Sequence, residues 1–224
     1  MTLLAGQVTD IYHGSVDEPQ SWPIDVSGQL ILRPSLPGSG SSIRITFDIL
    51  SNDALLNSSP DISARKDYES HVLSLDAFAG DWPDSAALPC YQVRITVWIP
   101  PGTRIQEFDF RTTALDVFIA KGLDLTVRQG GGIVSVSGNI TTPPLDAAGR
   151  LPYKVQSPQV HIATNKGSVN GWFPMYNVLA LSSFYGDIAA QIGPKPLNPS
   201  DPSPSFLSIH NDWGMQIYHI QSQR

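Results

Sequence analysis

One cysteine, Cys90, occurs in the 224 residues. A single thiol excludes an intrachain disulfide and any zinc site built on several cysteines, and it suits a reducing compartment slightly better than an oxidising one. Charge is scarce as well, at 15% of residues, with a formal net charge of −6. Nucleic acid is held mainly by clustered Lys and Arg, which this chain lacks, so no nucleic-acid partner is expected. No run approaches eighteen consecutive apolar residues, and the stretch Leu3, Leu4, Ala5 soon gives way to Gln7 and Asp10. The expectation is no membrane span and no signal peptide in this chain.

What is plentiful is Gly, Pro, Ser and Thr, with 18 Gly and 19 Pro. That balance favours turns and strands over exposed helices. The length suffices for one large β domain or two small ones. Strands are predicted over 29–36 and 42–50, where Ile43, Ile45 and Phe47 alternate with Arg44, Thr46 and Asp48. Residues 51–89 read as long loops, with a strand over 71–78 and room for a short helix over 63–70. Order returns at 91–99, where Val93, Ile95, Val97 and Ile99 alternate, and Pro100, Pro101 and Gly102 make a turn. Short strands follow at 108–110, 115–119 and 123–127, and Gly130–Gly132 reads as a further turn. The chain thus divides into an N-terminal β region with long loops (1–90) and a repeat-containing β domain (91–224).

Setting Gly167 on Gly186 aligns Val160 with Leu179, Ile162 with Leu181, Thr164 with Ser183 and Val169 with Ile188, a shift of nineteen residues throughout. The same spacing is read upstream in Leu125, Val127, Gly132 and Val134, and downstream in Leu207, Ile209 and Gly214, with Gln216 in the last apolar place. Each unit offers two inward side chains, a glycine bend, and a further inward side chain. One unit buries too little to stand alone, so neighbours must stack. The predicted fold is all-β: a stacked-strand, solenoid-like domain with N-terminal antiparallel strands, or alternatively a β-sandwich.

Residues 91–192, with the 93–119 stretch followed by units of the 160–173 and 179–188 type, resemble the adhesin-like domains of unknown function found in bacteria and, in divergent form, in fungi. The resemblance implies a stacked β-structure and a non-enzymatic surface or scaffold role, extracellular or at the cell surface. It brings no catalytic residues and no cofactor.

A glycosidase would need two facing carboxylates. Glu107, Asp109, Asp116 and Asp124 read as a solvated strand face, Asp109 pointing away from Phe108 and Phe110. No Gly-x-Ser-x-Gly elbow occurs. Five scattered histidines give no metal motif, although His161 and His210 occupy similar places in their units. Asp76, Asp81 and Asp84 lack calcium-loop spacing. Among the aromatics, Phe173 and Phe184 are assigned to the core, and Trp172, Tyr176 and Tyr185 to ligand binding. Asn57 and Asn139 stand in glycan-acceptor triplets. The preferred function is a non-catalytic interaction or surface-scaffold domain for a glycan or protein, able to oligomerise through exposed strand edges. The rival is a carbohydrate-active β-helical enzyme using Asp81, Asp84, Asp187 or Asp212.

Overall fold

The computed structural model describes residues 2–3, 9–13, 25–51, 62–66, 72–77, 90–195 and 205–221, and among these every regular element is a strand. In chain order they are β1 (Thr2–Leu3), β2 (Thr9–His13), β3 (Asp25–Pro34), β4 (Ile43–Ser51), β5 (Ile62–Lys66) and β6 (Val72–Ala77). Then come β7 (Cys90–Ile99), β8 (Thr103–Thr112), β9 (Leu115–Ile119), β10 (Asp124–Ser135), β11 (Ile140–Thr141) and β12 (Lys154–Gln156). The last are β13 (Gln159–Thr164), β14 (Val169–Met175), β15 (Val178–Ser183), β16 (Ile188–Pro194), β17 (Phe206–Asn211) and β18 (Gln216–Ile220).

Two sheets result. The first runs β1, β4, β7, β3, β9, β11, β14, β16, β18; the second runs β17, β15, β13, β10, β8, β2, β6, β5, with β12 also on β10. The antiparallel pairs are β1 with β4, β4 with β7 and β5 with β6, all involving strands near the N-terminus. Every other described pair is parallel. Strands from the first ninety residues are interleaved with later ones, β3 lying between β7 and β9, and β2 between β8 and β6.

From β8 onward the chain crosses between the sheets at almost every turn, so each two-strand layer lies on the one before it. The nineteen-residue shift becomes strand register: Val160 pairs with Leu179, Ile162 with Leu181, Thr164 with Ser183, and Val169 with Ile188. Alternation on a strand points every second residue inward, and the column Ile133, Ile162, Leu181 is buried between the sheets. Each such side chain contributes about 1.5–3 kcal/mol on leaving water. The chain therefore has the two packed sheets of a sandwich together with the layer-on-layer register expected of stacked units.

Four expectations need correction. Residues 63–66 belong to β5, not to a helix. Gly130–Gly132 is not a turn; it lies inside β10, where the register on β8 shifts between Val127 and Gly130. Glycine is required there because a Cβ on Gly131 would sit 2.1 Å from the buried Phe108 ring. The upstream copy is consequently displaced: Ile133, Ser135, Gly138 and Ile140 hold the places of Ile162, Thr164, Gly167 and Val169. Finally, the segments at 108–110 and 123–127 are parts of the longer strands β8 and β10.

Candidate binding surface

At one end of the strands the chain turns from the second sheet to the first through a short corner, repeated in successive layers. Three residues before each corner glycine stands a side chain that both donates and accepts. Ser135 Oγ accepts from Gly138 N at 2.9 Å and donates to Leu115 O at 3.1 Å in the layer before. Thr164 Oγ1 does the same between Gly167 N (3.0 Å) and Gly138 O (3.1 Å). Ser183 Oγ lies 2.9 Å from both Gly186 N and Gly167 O. In the last layer Asn211 divides the task, its Oδ1 accepting from Gly214 N at 2.6 Å and its Nδ2 donating to Gly186 O at 2.8 Å. A hydroxyl suits this position because one oxygen can serve both backbone groups, which are costly to leave bare when buried.

Glycine is needed beside it because the backbones nearly touch. A Cβ on Gly138, Gly167 or Gly186 would fall within 2.0 Å of a carbonyl oxygen one layer away. A second, exposed ladder follows the glycine: Asp116 Oδ1 accepts from Asn139 N (2.7 Å), Asn139 Oδ1 from Ser168 N (2.9 Å), Ser168 Oγ from Asp187 N (3.2 Å), and Asp187 Oδ1 from Met215 N (2.8 Å). Two acids are thereby given structural partners. Asn139, which stands in a glycan-acceptor triplet, has both ends of its amide bonded within the ladder.

The first two of these corners project Val136, Ser137, Asn165 and Lys166, and the last two project rings. Phe184, Tyr185 and Trp213 are 40%, 55% and 75% exposed, and the first two meet edge to face at 4.5 Å. Beside Phe184, on the outer side of the second sheet, lies a hollow of about 310 Å³, lined by Val134, Ala163, Ser182, Phe184, His210 and Asp212 among others. Val134, Ala163, Ser182 and His210 are register partners on β10, β13, β15 and β17, so this row runs along the stack. His210 Nε2 stands 3.1 Å from Asp212 Oδ1 at its far end.

The three residues expected to bind a ligand are not brought together. Trp172 is fully buried, edge-on to Tyr153 at 5.2 Å. The segment joining β11 to β12 is held over its backbone, Thr142 Oγ1 and Tyr153 Oη both donating to Trp172 O. Gly193 leaves space for the indole, since a Cβ there would meet it at 2.7 Å. Trp172 therefore offers no ring to a ligand. Tyr176 lies in the turn between β14 and β15, at the opposite strand end from Tyr185. It is half-buried, and desolvation raises its phenol above the ordinary range.

Phe184, expected in the core, is instead exposed, because it follows Ser183 into the corner. His161 and His210 do not share a column: the register sets His161 on Ala180, which pairs with Ser208, and sets His210 on Ser182. Asp109 pairs with Arg111 at 2.6 Å, and Asp124 lies 3.6 Å from Lys154 Nζ. Asn57, Asp76, Asp81 and Asp84 carry side chains outside the described residues. Missed from sequence were the hollow itself and the contributions of Phe184, His210 and Asp212; the signal was the outward position next to the ladder residue in each unit.

No family model matches the chain, and no curated protein matches it significantly. Among solved structures it is similar to a proposed cell adhesion protein from Clostridium sporogenes, at 10% identity and a TM-score of 0.40, over 97% of this chain and 94% of that one. A likeness at that level carries no inference about what this chain binds.

Proposed function

We propose that the chain is a non-catalytic, adhesin-like interaction domain that acts outside the cell or at its surface and holds a glycan in the hollow beside Tyr185. One observation carries the reading. The acids Asp116 and Asp187 at the corners are engaged in joining layers, while the corners of the last two layers project the rings of Phe184, Tyr185 and Trp213 beside the polar Asn165, Lys166 and Asp212. Rings fixed on a rigid corner lose little freedom on binding. Their faces stack on the C–H surface of sugars; Ser182, His210 and Asp212 offer hydroxyl, imidazole and carboxylate groups beside Phe184, on which Tyr185 packs at 4.5 Å. A row running along the stack suits an extended chain better than a compact metabolite.

The test is glycan-array binding with mass analysis of the retained sugars. The wild type is expected to retain glycans intact, and Tyr185→Ala to weaken retention roughly tenfold, equivalent to about 1.4 kcal/mol. Failure to retain any glycan, or release of shorter sugars that stops in Asp212→Asn, would overturn it.

A further inference from the structure

The stack finishes differently at its two ends. Near the N-terminus each sheet changes direction, β1 lying antiparallel on β4 and β5 antiparallel on β6. At the other end β17 and β18 are ordinary parallel members, each with one neighbour, so both offer an unpaired backbone edge among the described residues. Their side chains are arranged for a core that the described residues leave uncovered. Leu207 and Ile209 are in register with Leu179 and Leu181, which are 0% and 1% exposed, yet both are only partly buried. Tyr218 and Ile220 are in register with the buried Ala190 and Ile192, yet are 52% and 48% exposed. Of the twelve exposed large apolar side chains among the described residues, six belong to this last layer: Phe206, Trp213, Met215, Ile217, Tyr218 and Ile220.

Edge strands that stay single are normally guarded by Lys, Pro or an inward charge. Residues 206–220 contain no Lys, Arg, Pro or Glu. Asp212 is their one carboxylate, so in a chain of net charge −6 this layer presents little charge to its own copy. The open edges also come as a pair, held apart by the distance between the sheets. A single added strand would satisfy one and leave the other bare. A second copy presents two edges at the same separation.

We propose that two copies of this chain dock end to end through β17 and β18 about a two-fold axis. The added strand pairs are then antiparallel, and Leu207, Ile209, Tyr218 and Ile220 of both copies close into one continuous interior. The hollow reaches this layer at His210 and Asp212, but docking rests on the two strand edges and the inward apolar positions of β17 and β18, not on the glycan reading.

Sedimentation equilibrium of the purified chain from low to high micromolar concentration tests it. The expected mass is twice 24.3 kDa, falling to the single-chain value in Ile220→Lys and unchanged in Leu50→Lys, an exposed site on β4. Hydrogen exchange of the unmodified chain supplies a second reading that needs no variant: amides of 206–220 should gain protection as concentration rises. A wild type that stays monomeric, a dimer that survives Ile220→Lys or is lost in Leu50→Lys, an assembly larger than two, or end-layer protection independent of concentration would each overturn it.

Discussion

Thr164 Oγ1 stands 3.1 Å from the carbonyl oxygen of Gly138, 26 residues earlier in the chain and one layer away. It also lies 3.0 Å from Gly167 N in its own layer, so one buried hydroxyl closes a corner and ties that corner to its neighbour. Register and turn geometry are thereby set by the same group.

The close approach of the corner backbones makes glycine substitutions unequal. In Gly167→Ala the new Cβ would meet Gly138 O at 2.0 Å, and backbone on both sides leaves nothing soft to move. A loss of about 3 kcal/mol or more is expected. Gly149, at φ +69° in an exposed loop with nothing within 4 Å, suffers only backbone strain on conversion to Ala, about 1–2 kcal/mol. Paired urea titrations check the difference, which the account requires to favour Gly149→Ala.

Asp187 separates a structural from a chemical role. Its Oδ1 accepts from Met215 N, as Asn139 Oδ1 accepts from Ser168 N two positions earlier in the ladder. An amide therefore suffices. Asp187→Asn should be nearly neutral, whereas Asp187→Ala should cost about 1 kcal/mol by denaturant titration. Equal losses in the two variants would mean that the charge, not the acceptor, is what the corner uses.

Tyr153 predicts an alkaline weakness. Burial is the main cause that pushes its phenol far above the ordinary value of 10, offset in part by the neighbouring Thr142 hydroxyl. Below pH 10 the phenol is protonated in both folded and unfolded chains, so its contribution is fully present. Above pH 10 the unfolded chain releases the proton and the folded one does not, so stability falls as pH rises, by up to about 1.4 kcal/mol per unit for this group. Tyr153→Phe should begin about 1 kcal/mol less stable, for want of the bond to Trp172 O. It should then lose less between pH 10 and 12; parallel slopes would contradict the assignment.

The apolar columns were legible because strand alternation and the nineteen-residue shift both report inward positions, and Val160, Ile162, Leu179 and Leu181 pair as the spacing requires. The polar ladder was written in the same units, as Ser135, Thr164, Ser183 and Asn211 each three residues before a glycine. The upstream copy was displaced because Gly130–Gly132, whose role is to admit Phe108 and pass a register shift, resembles corner glycine in the sequence. Trp172 was placed on the surface because its cover comes from residues 142–153, a loop whose return has no periodic signature. Tyr185 has no such cover: it stands in the corner after Ser183 and is 55% exposed.

The direct measurement is residue-resolved hydrogen exchange at Gly186 in the wild type and in Ser183→Ala. Ser183 Oγ holds the Gly186 amide and the Gly167 carbonyl at once. The account predicts a slowly exchanging Gly186 amide in the wild type. In Ser183→Ala that protection should vanish locally, with a global loss of about 2–3 kcal/mol for two stranded backbone groups. A Gly186 amide that exchanges as freely as an exposed loop amide in the wild type, or is equally protected without the hydroxyl, would contradict the claim that this ladder binds the layers.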